Sequence, residues 1–127
     1  MSTDFDDITR RLDAKTVAHT VVDDVALLAF ADQEDGEGPV LLMVQRRLED
    51  DRQDIELGMD RHCLVDGDGR TFYGGVATWA VEDLRLKLTL SEEAAQSMRC
   101  GNIEVVLPDL DTERMVQTAM RELLSRN

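Results

Sequence analysis

Leu84, Leu86, Leu88 and Leu90 alternate with Arg85, Lys87 and Thr89. Successive side chains of a strand point to opposite faces, so this pattern requires a strand with one wet face and one face in a core. It is the cleanest period-two stretch in the chain. It points to an antiparallel sheet, because parallel strands covered on both faces read as continuous apolar runs.

Other segments fit the same sheet. Thr16 to Val22 and Asp24 to Ala31 are rich in Val, Leu and Ala and are broken by Asp23-Asp24, which predicts two strands or one bent strand. Residues 32–39 concentrate acids, glycines and Pro39 into a turn. Val40 to Val44 is a short apolar run that predicts a central strand ended by Gln45-Arg46-Arg47. Residues 49–58 form a long polar loop with Leu48, Ile55 and Leu57 as its apolar anchors. Met59 to Val65 resumes strand character, and Asp66-Gly67-Asp68-Gly69 supplies positive-φ turn chemistry for a hairpin. The return strand runs from Thr71 towards Val81, where Gly74-Gly75 predicts a bulge or a close backbone approach. Ile103 to Leu107, ended by Pro108, is a further strand.

Helices are fewer. Phe5, Ile8 and Leu12 at three- and four-residue spacing predict a short N-terminal helix. Ser91 caps a short helix that begins with Glu92-Glu93 and stops at Gly101. Met115, Val116, Ala119, Met120, Leu123 and Leu124 form the stripe of an amphipathic helix behind Asp111 or Thr112 as cap. The expected fold is therefore α+β and mostly β: a single antiparallel sheet, a meander with hairpins, with the C-terminal amphipathic helix packed on it. Its 127 residues suit one domain, 1–127. Within it, 1–14 is an N-terminal extension or short helix, 15–110 the mainly antiparallel β core, and 111–127 the C-terminal helix.

Charge excludes several functions. Fourteen Lys and Arg against 27 Asp and Glu leave a net charge of −13, which repels phosphate backbones and anionic lipid headgroups. Nucleic acid and membrane are thus not expected partners. No run approaches the ~20 apolar residues that cross a bilayer, and the acidic start Met1 to Asp7 does not resemble a signal peptide. A cytoplasmic protein is expected, with Cys63 and Cys100 as unpaired, small core residues.

Residues suited to catalytic chemistry are few. His19 and His62 are the candidate bases, and His62 precedes Cys63, so the two side chains of that pair leave a strand on opposite faces. No CxxC or HxxxH spacing gathers soft ligands for zinc. Setting Gly69 at the sixth position of a calcium loop puts Leu64 at the first and Gly75 at the twelfth, where carboxylates are required. Gly74-Gly75 lacks the lysine of a phosphate-binding loop. No enzyme activity, cofactor or metal is expected.

What remains is a concentration of negative charge. Residues 49–70 hold eight acids and three arginines, whereas 111–127 is balanced. Such a segment is either a solvated face or a surface complementary to a basic partner.

Gln45-Arg46-Arg47-Leu48, Gln53-Asp54, Leu57-Gly58-Met59-Asp60, Cys63 and Tyr73-Gly74-Gly75-Val76 follow one another in an order that resembles the immunity protein 10 family of bacterial polymorphic toxin systems. His62 stands where the resemblance leads to an aromatic residue. The resemblance implies a mostly β, non-catalytic protein that neutralises a cognate toxin encoded beside it. In that light Gly58, Met59, Asp60, Tyr73, Gly74 and Gly75 are structural. The candidate contacts to the toxin are Glu49, Asp50, Asp51, Asp54 and Glu56, facing a basic surface. The alternative is a small acidic secretion chaperone for an effector, a class that is usually dimeric; a homodimer is compatible with either reading.

Overall fold

Three of the four alternating leucines, Leu86, Leu88 and Leu90, point into the core, and the fourth does not. A computed structural model describes residues 5–33, 40–47 and 62–124. A 3₁₀ turn (Phe5–Asp7) leads into β1 (Thr9–Asp13), β2 (Thr16–Val22), β3 (Val25–Ala31) and β4 (Val40–Arg47). β5 (Cys63–Asp66), β6 (Thr71–Tyr73), β7 (Val76–Glu82) and β8 (Arg85–Leu90) follow. The chain ends with α1 (Glu92–Met98), β9 (Asn102–Val106) and α2 (Leu110–Leu124). Residues 48–61, including the whole of the predicted polar loop 49–58, lie outside the described residues.

The strands form two sheets, not the single sheet expected from sequence. One is mixed, in the order β1-β9-β8-β7, with β1 parallel to β9; the other is an antiparallel meander, β2-β3-β4-β5-β6. Alternation tells which side of a strand is covered, but not by which sheet, so the division is invisible to it. The chain crosses between sheets at two short junctions. At the first, Ala14 N–H donates to Val106 O (3.0 Å) in one sheet and Lys15 N–H to Ala31 O (2.8 Å) in the other. The second is Gly74-Gly75. The expected return strand is therefore two strands in different sheets.

The N-terminal segment also corrects the expectation. Thr9–Asp13 is a strand, not part of a helix, held in register with Asn102–Val106. Three apolar residues over eight positions cannot separate a helical period from a strand, and pairing with β9 decides between them. Leu84 instead occupies the second position of the Asp83-Leu84 turn, at φ 59°, after Asp83 at φ 53°. Both positive values match a two-residue type I′ hairpin, a conformation that costs a leucine about 1–2 kcal/mol. Glu113 Oε1 accepts the Leu84 N–H at 2.7 Å, and Leu84 O accepts from Leu107 N–H at 2.8 Å. Those two bonds hold the turn between β9 and α2.

One continuous core receives side chains from both sheets and both helices. Leu28 and Phe30 of β3, Leu42 and Val44 of β4, and Leu64 of β5 meet Leu86, Leu88, Ile103 and Val105 of the mixed sheet. α2 contributes Val116, Ala119, Met120 and Leu123; Met115 and Leu124, the edges of the predicted stripe, are half-buried. Its cap is Asp109, not Asp111 or Thr112: Asp109 Oδ1 accepts the Thr112 N–H at 2.8 Å. Ser91 caps α1 as predicted, accepting from Ala94 N–H at 3.2 Å, but Arg99 in the left-handed region (φ 62°) ends it. Gly101 lies beyond that cap and donates its N–H to Ile8 O at 3.0 Å.

Candidate functional site

The acidic segment leaves β4 at Arg47 and rejoins the described chain at His62. Its candidate contacts Glu49, Asp50, Asp51, Asp54 and Glu56, and the motif residues Gly58, Met59 and Asp60, lie outside the described residues. What the structure defines is the base from which that segment springs.

On β4 the inward alternation of Leu42 and Val44 continues to Arg46, which is 5% exposed. Its Nη1 donates to Leu123 O at 3.0 Å, placing a cation on a carbonyl of the last turn of α2. The arginine predicted to end the strand is instead a tie between strand and helix. Opposite it, His62 is 2% exposed. Its carbonyl accepts the Gly74 N–H at 2.7 Å, and its Nε2 accepts the Val76 N–H at 3.1 Å. An accepting Nε2 places the proton of the neutral ring on Nδ1. A phenyl ring at this position would leave the Val76 amide without that acceptor, so the histidine holds the sheet crossing.

The crossing has no room for side chains. A Cβ on Gly75 would lie 2.8 Å from Ala94 Cβ and 3.0 Å from Phe72 Cδ1, and Gly74 sits at φ 73°. This is the close approach expected of the pair, and it seats α1 against β6. Tyr73, by contrast, is 43% exposed. With Phe72, Gly74, Ser91, Glu92 and Glu93 it lines a shallow groove of about 380 Å³. Because Gly74 is bonded to His62, the groove lies at the root of the acidic segment. Its lining offers one exposed aromatic ring and two carboxylates.

Beside this base, Asp66 organises the hairpin between β5 and β6. Its side chain is 3% exposed. Oδ1 accepts the N–H groups of Asp68 and Arg70, both at 2.9 Å, while Oδ2 receives Arg10 Nη1 at 3.3 Å and Arg70 Nη1 at 3.2 Å. Gly69 at φ 86° completes the turn that the sequence predicts. Burial by itself raises the Asp66 carboxyl, but the Arg70 N–H, the Arg70 guanidinium and the Asp68 N–H outweigh it and hold the group below its ordinary value. Since Arg10 is on β1, the same carboxylate joins the two sheets.

A family model described as immunity protein 10 matches residues 13–116, from the end of β1 into α2. The chain belongs to the immunity protein 10 family. No curated protein matches it. The family match spans both sheet junctions, the Asp66 turn and the segment between Arg47 and His62. Family membership thus coincides with the scaffold around the acidic segment.

Among the described residues no group of three or more His, Cys, Asp or Glu side chains is placed to hold a metal ion, and no helix is long and apolar enough to cross a membrane. Cys63 and Cys100 are buried, and burial pushes both thiols above their ordinary value. The thiolate is the reactive form, so both should resist a thiol reagent in the native protein and react fully once it is unfolded. Titration with a chromogenic disulfide before and after denaturation checks this. Rapid native labelling would contradict the assigned burial.

Proposed function

We propose that this chain is a non-catalytic, cytoplasmic immunity protein that binds and neutralises a cognate toxin, meeting a basic toxin surface with Glu49, Asp50, Asp51, Asp54 and Glu56. Membership of the immunity protein 10 family carries the reading. The excess of acids over arginines between residues 49 and 70 supports the choice of surface. A field of one sign accelerates association with a partner of the other and fixes its orientation. The ties of Arg46 and His62 support it further, because they fix on the core the described residues that flank the segment on either side. The groove at its root suits a lysine or arginine side chain, with the Tyr73 ring and the Glu92 and Glu93 carboxylates as partners.

Carboxylates at the rim of an interface act mainly on encounter. The triple variant Asp50→Asn, Asp51→Asn, Asp54→Asn should therefore associate roughly tenfold more slowly at low salt, with a flatter salt dependence and little change in dissociation. Surface-based kinetics with the toxin encoded by the neighbouring gene, repeated across salt concentrations, measure this. Equal rates and salt slopes would move the contact surface elsewhere. Absence of any complex would favour a chaperone.

A further inference from the structure

Among the described residues four strands end the two sheets, and they differ in how they discourage further pairing. β1 is five residues long and carries Arg10, Arg11 and Asp13. β6 has three residues, and β7 is interrupted by a register shift between Val76 and Thr78. β2 is seven residues, Thr-Val-Ala-His-Thr-Val-Val, unbroken in register against β3 and without Lys, Arg, Asp, Glu, Pro or Gly. Charges, prolines, bulges and brevity are the usual protections of an edge, and β2 has none of them.

Its open side can be read from the hairpin. Asp23 and Asp24, at φ 51° and 64°, form a two-residue turn, so Val22 and Val25 are a hydrogen-bonded pair. Alternation then directs the N–H and C=O groups of Val17, His19 and Val21 away from β3. Among the described residues no backbone group pairs with them. α2 packs under β2, where His19 Nε2 lies 3.6 Å from Glu122 Oε2, and Val21 remains 55% exposed.

We propose that this edge joins two copies of the chain, β2 to β2, antiparallel about a two-fold axis at His19. In that register Val17 meets Val21 of the second copy and His19 meets His19, so all three outward residues form hydrogen-bonded pairs. The same register brings Lys15 opposite Asp23 of the second copy at both ends of the ladder. The neighbouring registers leave one outward residue unmatched and carry Lys15 away from Asp23. The pairing is self-complementary and closed, so it ends in a dimer and not a fibre. It also brings together stretches free of the acids that dominate the rest of the chain, whose net charge of −13 opposes most other contacts between copies.

Sedimentation velocity on the full chain over a wide concentration range tests the proposal. The wild type should dimerise, and His19→Pro should be monomeric, since the N–H it removes faces the open edge and not β3. Lys15→Asp should weaken the dimer, and adding Asp23→Lys in the same chain should restore it. The two-fold places the His19 Cα atoms about 5.5 Å apart, so His19→Cys should cross-link copies on oxidation even if the proline variant does not fold. A wild type that stays monomeric, a dimer indifferent to His19→Pro and Lys15→Asp, or no cross-link through Cys at position 19 would overturn it. A monomer whose β2 amides gain exchange protection only when the toxin is added would also overturn it, and would give the edge to a strand of the toxin.

Discussion

Leu123→Ala is expected to destabilise the protein by about 2–5 kcal/mol, the cost of removing a buried leucine and leaving a cavity that its neighbours only partly fill. Leu123 is 1% exposed and belongs to the core that unites both sheets. Its carbonyl, which accepts from Arg46 Nη1, is retained in the variant, so the loss reports packing and not the hydrogen bond. At ~2.1 cal/mol/K of unfolding entropy per residue, the loss corresponds to a melting temperature lower by about 7–19 °C for a chain of this length. Leu124→Ala, at a half-buried position, should cost clearly less. A Leu123→Ala protein that melts with the wild type would remove α2 from the core.

That helix is largely legible in the sequence because a stripe of six apolar residues repeats over three turns. β8 is legible because strict two-residue alternation marks a strand and fits no helix. The strand containing Arg46 is only half legible: the alternation of Leu42 and Val44 extends to position 46, but a charged residue there looks like an end. It becomes an inward residue only when a helix carbonyl is brought to it, from Leu123, 77 positions along the chain. His62 follows the same logic, alternating with Leu64 and finding its acceptor role at a junction formed by another segment. Asp109 has a local signal that competes with Asp111 and Thr112, since aspartate is itself a favoured N-cap residue and it directly precedes Leu110. The division into two sheets has no local signal: nothing marks Ala14-Lys15 as a junction, and Gly74-Gly75 marks a backbone constraint without showing that the chain changes sheet there. Of the site, Gly74-Gly75 is legible because two adjacent glycines inside a strand pattern require a backbone reason. The groove is not, because Tyr73 and the two glutamates are brought together only by the seating of α1.

The second large effect is expected at Asp66, where the sequence shows a turn and the structure shows a link between sheets. Asp66→Ala removes the acceptor of two backbone N–H groups and the counter-charge of Arg10 and Arg70. Breaking a fully buried pair costs about 3–5 kcal/mol, but the arginine side chains here are 31% and 29% exposed and recover water, so roughly 2–3 kcal/mol is expected. Asp66→Asn keeps an acceptor oxygen for the turn and loses only the charge, so it should fall between alanine and the wild type. The acid dependence separates the two contributions. The folded carboxyl titrates below its ordinary value, so its ionised form stabilises the fold, fully above the unfolded value of about 3.9. As pH drops below that value towards the folded one, the stabilisation drains away, and below the folded value it is gone. Urea unfolding at neutral pH and through the acid range should therefore show the wild type losing its advantage over Asp66→Asn on acidification, while Asp66→Ala stays weaker than both. A gap between wild type and Asp66→Asn that does not change with pH would mean that the Arg10 and Arg70 contacts contribute nothing to stability. The union of the two sheets would then rest on the apolar core and on the two chain junctions, the second of them held by His62.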